Sequence, residues 1–138
     1  MFYPDITDIF VSIVYESAII GSMHKLVILI EPLDDENAFD ERWPDFLRHA
    51  EAIPGLLREA SCRVDAMLFG QPAYTRMHEL YFDSLESAGR GLASPDGQAA
   101  GRLLQALTGG RMTLFFAEHK EDQAENLLRL RQAQLGRE

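Results

Sequence analysis

The chain has 138 residues, of which 46% are hydrophobic and 25% charged, with 13 Lys and Arg against 22 Asp and Glu for a formal charge of -9. That length suits one domain that buries most of the surface its unfolded form exposes, without a metal or disulfide staple. The acidic balance repels phosphate backbones and argues against a nucleic-acid partner, and the single cysteine, Cys62, cannot form an internal disulfide, which fits a reducing cytoplasm.

Ile6, Ile9, Phe10, Ile13 and Val14 recur at helical spacing, so residues 1–22 read as an N-terminal extension with an amphipathic helix, although their β-branched content also permits a strand. Asp5, Asp8 and Glu16 interrupt the apolar stretches, which match neither a signal peptide nor a membrane span of about 20 residues. Met23 begins a sequence that reads as a self-sufficient domain. Leu26 to Ile30 is a continuous apolar run, the pattern of a strand at the centre of a sheet, and Glu31-Pro32 ends it. Asp34 or Asp35 caps the next helix, whose stripe is Phe39, Trp43, Phe46, Leu47, Ala50 and Ile53. Pro44 removes a backbone hydrogen bond within a stripe that stays in phase, which predicts one kinked helix.

Ile53-Pro54-Gly55-Leu56 stops that helix. A long second strand is expected from Arg58 to Phe69, with Arg58, Ala60 and Cys62 on one face and Glu59, Ser61 and Arg63 on the other. Gly70-Gln71-Pro72 turns into a third strand, Tyr74 to Phe82, paired with the second as an antiparallel hairpin. Asp83 and Glu86 have capping-box spacing before a short helix carrying Leu85, Ala88 and Leu92. Ser94-Pro95 opens a further helix with a serine cap and a proline at the first helical position, and Gly109-Gly110 stop it. Arg111 to His119 is the fourth strand, and residues 120–138, with leucines among alternating charges, read as a helical tail.

Strand, helix, strand, strand, helix, strand is the split βαβ order of a ferredoxin-like α+β fold, with residues 23–119 as the domain. Right-handed crossovers place the helices on one face of a four-stranded antiparallel sheet. The other face stays bare yet carries apolar side chains, so a homodimer is expected to form through it and close a dimeric α+β barrel.

Ile53-Pro54-Gly55-Leu56, Glu79-Leu80-Tyr81-Phe82-Asp83-Ser84, Ala93-Ser94-Pro95-Asp96-Gly97-Gln98-Ala99-Ala100 and Thr113-Leu114-Phe115-Phe116 together resemble the EthD domain, over about Met23 to Glu118. The resemblance implies membership of the dimeric α+β barrel superfamily, which includes small-molecule monooxygenases, lactone isomerases and aromatic dehydratases. It also implies either a cofactor-independent lyase or isomerase or an accessory protein of ether or aromatic degradation. Many members carry a histidine on the first helix, eight residues before the proline of the Pro-Gly-Leu turn. Phe46 stands at that position here, so the family's main proton-transfer candidate is missing.

His49 lies three residues further on, a rotation of about 300° around a helix, and reads as a surface residue. On the third strand, Arg76, His78, Leu80 and Phe82 share a face that packs under the helices, which points Glu79 and Tyr81 into the barrel. Burial would raise the pKa of Glu79 and make it the candidate general acid or base, whereas an ion pair with Arg63 or Lys25 would make it structural. Trp43, Phe46, Arg63, Tyr81 and Phe115 are the expected lining of a pocket for a small apolar or aromatic ligand. Cys62 reads as a small buried residue. No phosphate loop is present, nothing in the histidine spacing supports a metal site, and no cofactor is expected. Two functions follow: a cytoplasmic, homodimeric small-molecule binder with cofactor-free proton-transfer chemistry, or a non-catalytic dimer whose barrel is filled.

Overall fold

The structure is a computed structural model that describes residues 23–71 and 73–121; the expected N-terminal extension and C-terminal helical tail lie outside the described residues. Seven elements follow in order: β1 (Met23–Ile30), α1 (Glu36–Glu51), β2 (Arg58–Arg63), β3 (Arg76–Phe82), α2 (Leu85–Ala93), α3 (Pro95–Thr108) and β4 (Met112–His119). The strands form one antiparallel sheet in the order β2-β3-β1-β4, the ferredoxin-like arrangement, with β1 and β3 inside and β2 and β4 at the edges.

Alternation along the strands decides what each face carries. Leu26, Ile28 and Ile30 of β1 and Leu80 and Phe82 of β3 point to the helices and meet Phe39, Phe46, Ala50 and Leu104 in one core. Helix α1 runs unbroken through Pro44 and is capped by Asp35, whose Oδ1 accepts from the Ala38 N–H at 3.0 Å. Its apolar stripe stays in phase across the proline, and tertiary packing of that stripe outweighs one lost backbone bond.

Three expectations need correction. Strand β2 ends at Arg63 and β3 begins only at Arg76, so the hairpin has a long connection rather than a tight turn. Val64 still donates to the Thr75 carbonyl at 3.0 Å, but beyond it Leu68 and Phe69 are 100% and 96% exposed, and alternation without an opposing strand or core does not make a strand. The cap of α2 is Ser84 rather than Asp83: its Oγ accepts from the Ser87 N–H at 3.0 Å. Cys62 is exposed, because edge strand β2 presents it on the uncovered sheet face opposite Met77.

Ser94 ends α2 and caps α3, making a tight elbow. A Cβ on Gly97 would overlap the backbone carbonyl oxygens of Gly91 and Leu92, and one on Gly91 would stand 2.6 Å from the Pro54 carbonyl oxygen. The elbow therefore packs backbone to backbone and seats itself on the Pro54-Gly55 turn. Among the described residues, no helix is long and apolar enough to cross a membrane.

Two substitutions in α3 should act with opposite sign in urea unfolding. Gly97→Ala is expected to cost about 1–3 kcal/mol through backbone overlap. Gly101→Ala, where a Cβ would meet nothing within 4 Å, is expected to stabilise by about 0.5–1 kcal/mol through helix propensity.

Candidate functional site

Strand β3 presents polar groups to both faces of the sheet, and three places have the makings of a site. On the helix face, His78 is 2% exposed. Its Nδ1 lies 2.6 Å from the Ser61 Oγ and its Nε2 lies 2.8 Å from the Glu59 Oε2, both on β2. The rings of Trp43 and Phe46 meet the imidazole edge-on at 5.1 and 5.7 Å. A cavity of about 340 Å³ opens beside it, lined by Trp43, Ser61, Arg63, Arg76 and His78 among others. Arg76 there is held by Glu36 and Asp40, each at 2.8 Å.

A larger cavity, about 730 Å³, lies between the sheet and α3 on the β4 side. Its walls are mostly apolar and include Leu26, Ile28, Phe46, Leu104, Phe115 and Phe116. Phe46 forms part of this wall and also touches Trp43 and His78. It thus stands between the two cavities.

The outer face carries a charge cluster. Glu79 is 5% exposed, pairs with the Lys25 ammonium and accepts from the Tyr81 hydroxyl at 2.9 Å. The Arg58 guanidinium lies 4.2 Å from the Tyr81 ring centroid and Lys25 Nζ lies 5.4 Å from it, while His119 meets the ring edge-on at 4.8 Å. Glu121 bridges Arg58 at 2.6 Å and His119 at 2.7 Å. The two partners, Arg58 first, draw its pKa down to about 2.

The acid or base expected at Glu79 meets a different environment from the one its sequence suggested. Burial does push the carboxyl upward, but the Lys25 and Tyr81 hydrogen bonds, with the nearby charges of Lys25 and His119, push it below the usual carboxylate range. Lys25 is in turn raised: burial lowers it, and Glu79 and Tyr81 more than offset that. Glu79 is held as an ionised, paired group, and of its two proposed partners it takes Lys25.

The five residues expected to line one pocket are dispersed. Trp43 and Arg63 line the smaller cavity, Phe46 and Phe115 the larger, and Tyr81 stands on the outer face beside Glu79. His49 is a partly exposed neighbour of Asp96 at 3.5 Å. His78 and His119 lie on opposite sheet faces, so they do not converge on one site. Sequence reasoning passed over Glu59 and Ser61 although their alternation put them on one face, because only the register that sets Ser61 opposite His78 brings them to the imidazole.

The Lys25–Glu79 pair gives a signed expectation. The depressed Glu79 pKa contributes stability that is present above the ordinary carboxylate value of 4.5 and is lost as pH falls through the folded value. The raised Lys25 pKa contributes stability that is present below 10.5 and is lost as pH rises through the folded value. Lys25→Met leaves a buried carboxylate unpaired, so it should cost about 3–5 kcal/mol at neutral pH by urea unfolding. The deficit should shrink as pH falls, because burial without the Lys25 ammonium pushes the Glu79 carboxyl upward and lets it take up a proton.

No family model matches the chain. A protein of Rhodococcus erythropolis described as an uncharacterized 11.0 kDa protein in the thcB-thcC intergenic region is 29% identical over 101 residues, covering 71% of this chain and 96% of its own length. A solved structure from Bacillus halodurans, an EthD family protein, superposes with a TM-score of 0.66 at 29% identity, over 71% of this chain and 99% of that one. A dimeric ferredoxin-like protein of unknown function from Jannaschia matches with a TM-score of 0.57 at 17% identity, over 70% and 99%. The last likeness speaks for the fold alone. The Bacillus match, nearly end to end, bears out in sequence and fold together the resemblance of this chain to the EthD family.

Proposed function

We propose that the protein is a homodimeric, EthD-like α+β barrel that binds one small apolar or aromatic molecule per subunit in the cavity between sheet and α3. The observation that carries this reading is the cavity itself: its volume of about 730 Å³ suits a small organic ligand, and its lining is mostly apolar. Cofactor-free proton transfer, of the isomerase, dehydratase or cyclase type, is the reaction class that the EthD resemblance implies. Glu79 and Tyr81 have a structural role in this reading, since a carboxylate already bonded to Lys25 and Tyr81 has little basicity left to offer. Phe46 at the usual histidine position favours a second reading, a binder without catalysis, which shares the same cavity.

Dimerisation is proposed through the outer sheet face, where Phe115 is 43% exposed and Cys62 and Arg58 are also uncovered. The Jannaschia structure of the same fold is described as dimeric, which supports a dimer. Two such faces packed together would bury both Lys25–Glu79 clusters.

Native mass spectrometry of freshly purified full-length protein tests both parts. The expected species is a dimer carrying bound small-molecule mass. Gly101→Phe, which projects a ring from α3 into the cavity, should remove that mass and leave the dimer; Leu29→Glu, on the outer face opposite Met77 and outside that cavity, should shift the protein toward monomer. An empty parent dimer, or a Gly101→Phe variant that keeps the same mass, would refute the cavity. A monomeric parent would refute the barrel.

A further inference from the structure

Separately from the apolar cavity, we propose that Ser61 is a nucleophile activated by His78 and oriented by Glu59, able to take the acyl group of a small aryl ester in the cavity beneath Trp43. With the imidazole neutral, the hydrogen-bond chain has one polarity. Glu59 as a carboxylate has only lone pairs to offer, so His78 Nε2 donates across the 2.8 Å contact. A neutral imidazole that carries its proton on Nε2 has a lone pair on Nδ1, which accepts from the Ser61 hydroxyl at 2.6 Å. Hydroxyl, imidazole and carboxylate thus stand in the order that activates a nucleophile: a base within hydrogen-bond reach, held by a third group.

The surroundings suit that task. The imidazole is buried and clamped by Trp43 and Phe46, which fixes its plane, whereas Ser61 is exposed on an edge strand and faces the cavity of about 340 Å³. Arg63 lies two residues along β2 on the same face and lines the same cavity. It sits directly opposite Arg76, yet Arg76 has two carboxylate partners and Arg63 has none among the described residues. An unpaired cation beside the nucleophile can meet a developing oxyanion. Trp43 offers an aromatic wall for an aryl leaving group.

The step balances without a co-reactant other than water. Ser61 Oγ bonds to the ester carbonyl carbon as its proton passes to His78 Nδ1, and Arg63 stabilises the tetrahedral oxyanion. The bond to the leaving oxygen then breaks, the phenol departs with the proton from Nδ1, and an acyl-serine remains. Water, deprotonated by the same nitrogen, releases the carboxylic acid and restores the serine.

The probe is p-nitrophenyl acetate, used on the full chain in a Cys62→Ala background so that the exposed thiol cannot take the acetyl group. Stopped-flow absorbance should show a burst of p-nitrophenolate, with one acetyl group mapped to Ser61 by peptide mass spectrometry. Ser61→Ala, at an exposed position, should abolish both while the circular dichroism spectrum stays unchanged. His78→Gln should slow the burst by about 100-fold or more. Glu59 acts as a positioning residue, so Glu59→Gln should lower the burst rate at saturating ester and leave the half-saturating concentration unchanged. No burst from the folded parent, or a burst and label that survive Ser61→Ala, would overturn the proposal; neither result would bear on ligand binding in the larger cavity.

Discussion

The register between β1 and β3 is the constraint on which the rest of the molecule depends. Val27 stands opposite Glu79 and Ile28 opposite His78. A slip of one residue in β3 would turn His78 out to the open face and drive Glu79 under the helices. The core would lose Leu80 and Phe82 at the same stroke, so the hydrophobic pattern that positions the polar groups is also what enforces their placement. Both polar centres therefore depend on the burial of β3, one strand with two differently solvated faces.

Around that strand the outer cluster takes a charged or aromatic side chain from every strand of the sheet. Lys25 comes from β1, Arg58 from β2, Glu79 and Tyr81 from β3, and His119 from β4. Such a network is favourable only when all its members are in place, because a half-satisfied buried charge costs more than an apolar replacement. Its saturation moves the interest in chemistry to the other face, where His78 has a hydroxyl on one nitrogen and a carboxylate on the other.

The segments that carry the EthD resemblance turn out to be largely packing devices. Gly97 permits the elbow between α2 and α3, Ser94 caps it, and Pro54 offers the carbonyl against which Gly91 packs. These residues hold α3 against the end of α2 and seat α2 on the Pro54-Gly55 turn. Chemistry can vary more freely on the side chains around that frame while the fold persists.

The sequence by itself determined the order of elements, the central apolar strand, the Ser94 cap of α3 and the inward face of β3, because local propensity and periodicity act over a few neighbouring residues. It also showed Glu79 and Tyr81 on the outer face by alternation alone. It did not determine where β2 ends, since Val64 to Phe69 alternates like a strand and only the absence of a partner leaves Leu68 and Phe69 in solvent. Nor did it gather the site: Trp43, Phe46, Arg63, Tyr81 and Phe115 all belong to plausible pockets, but different faces and ends of the sheet separate them. The meeting of Ser61 and Glu59 with His78, and of Lys25 with Glu79, was decided by tertiary structure alone, because cross-strand register is a long-range property that no local pattern encodes.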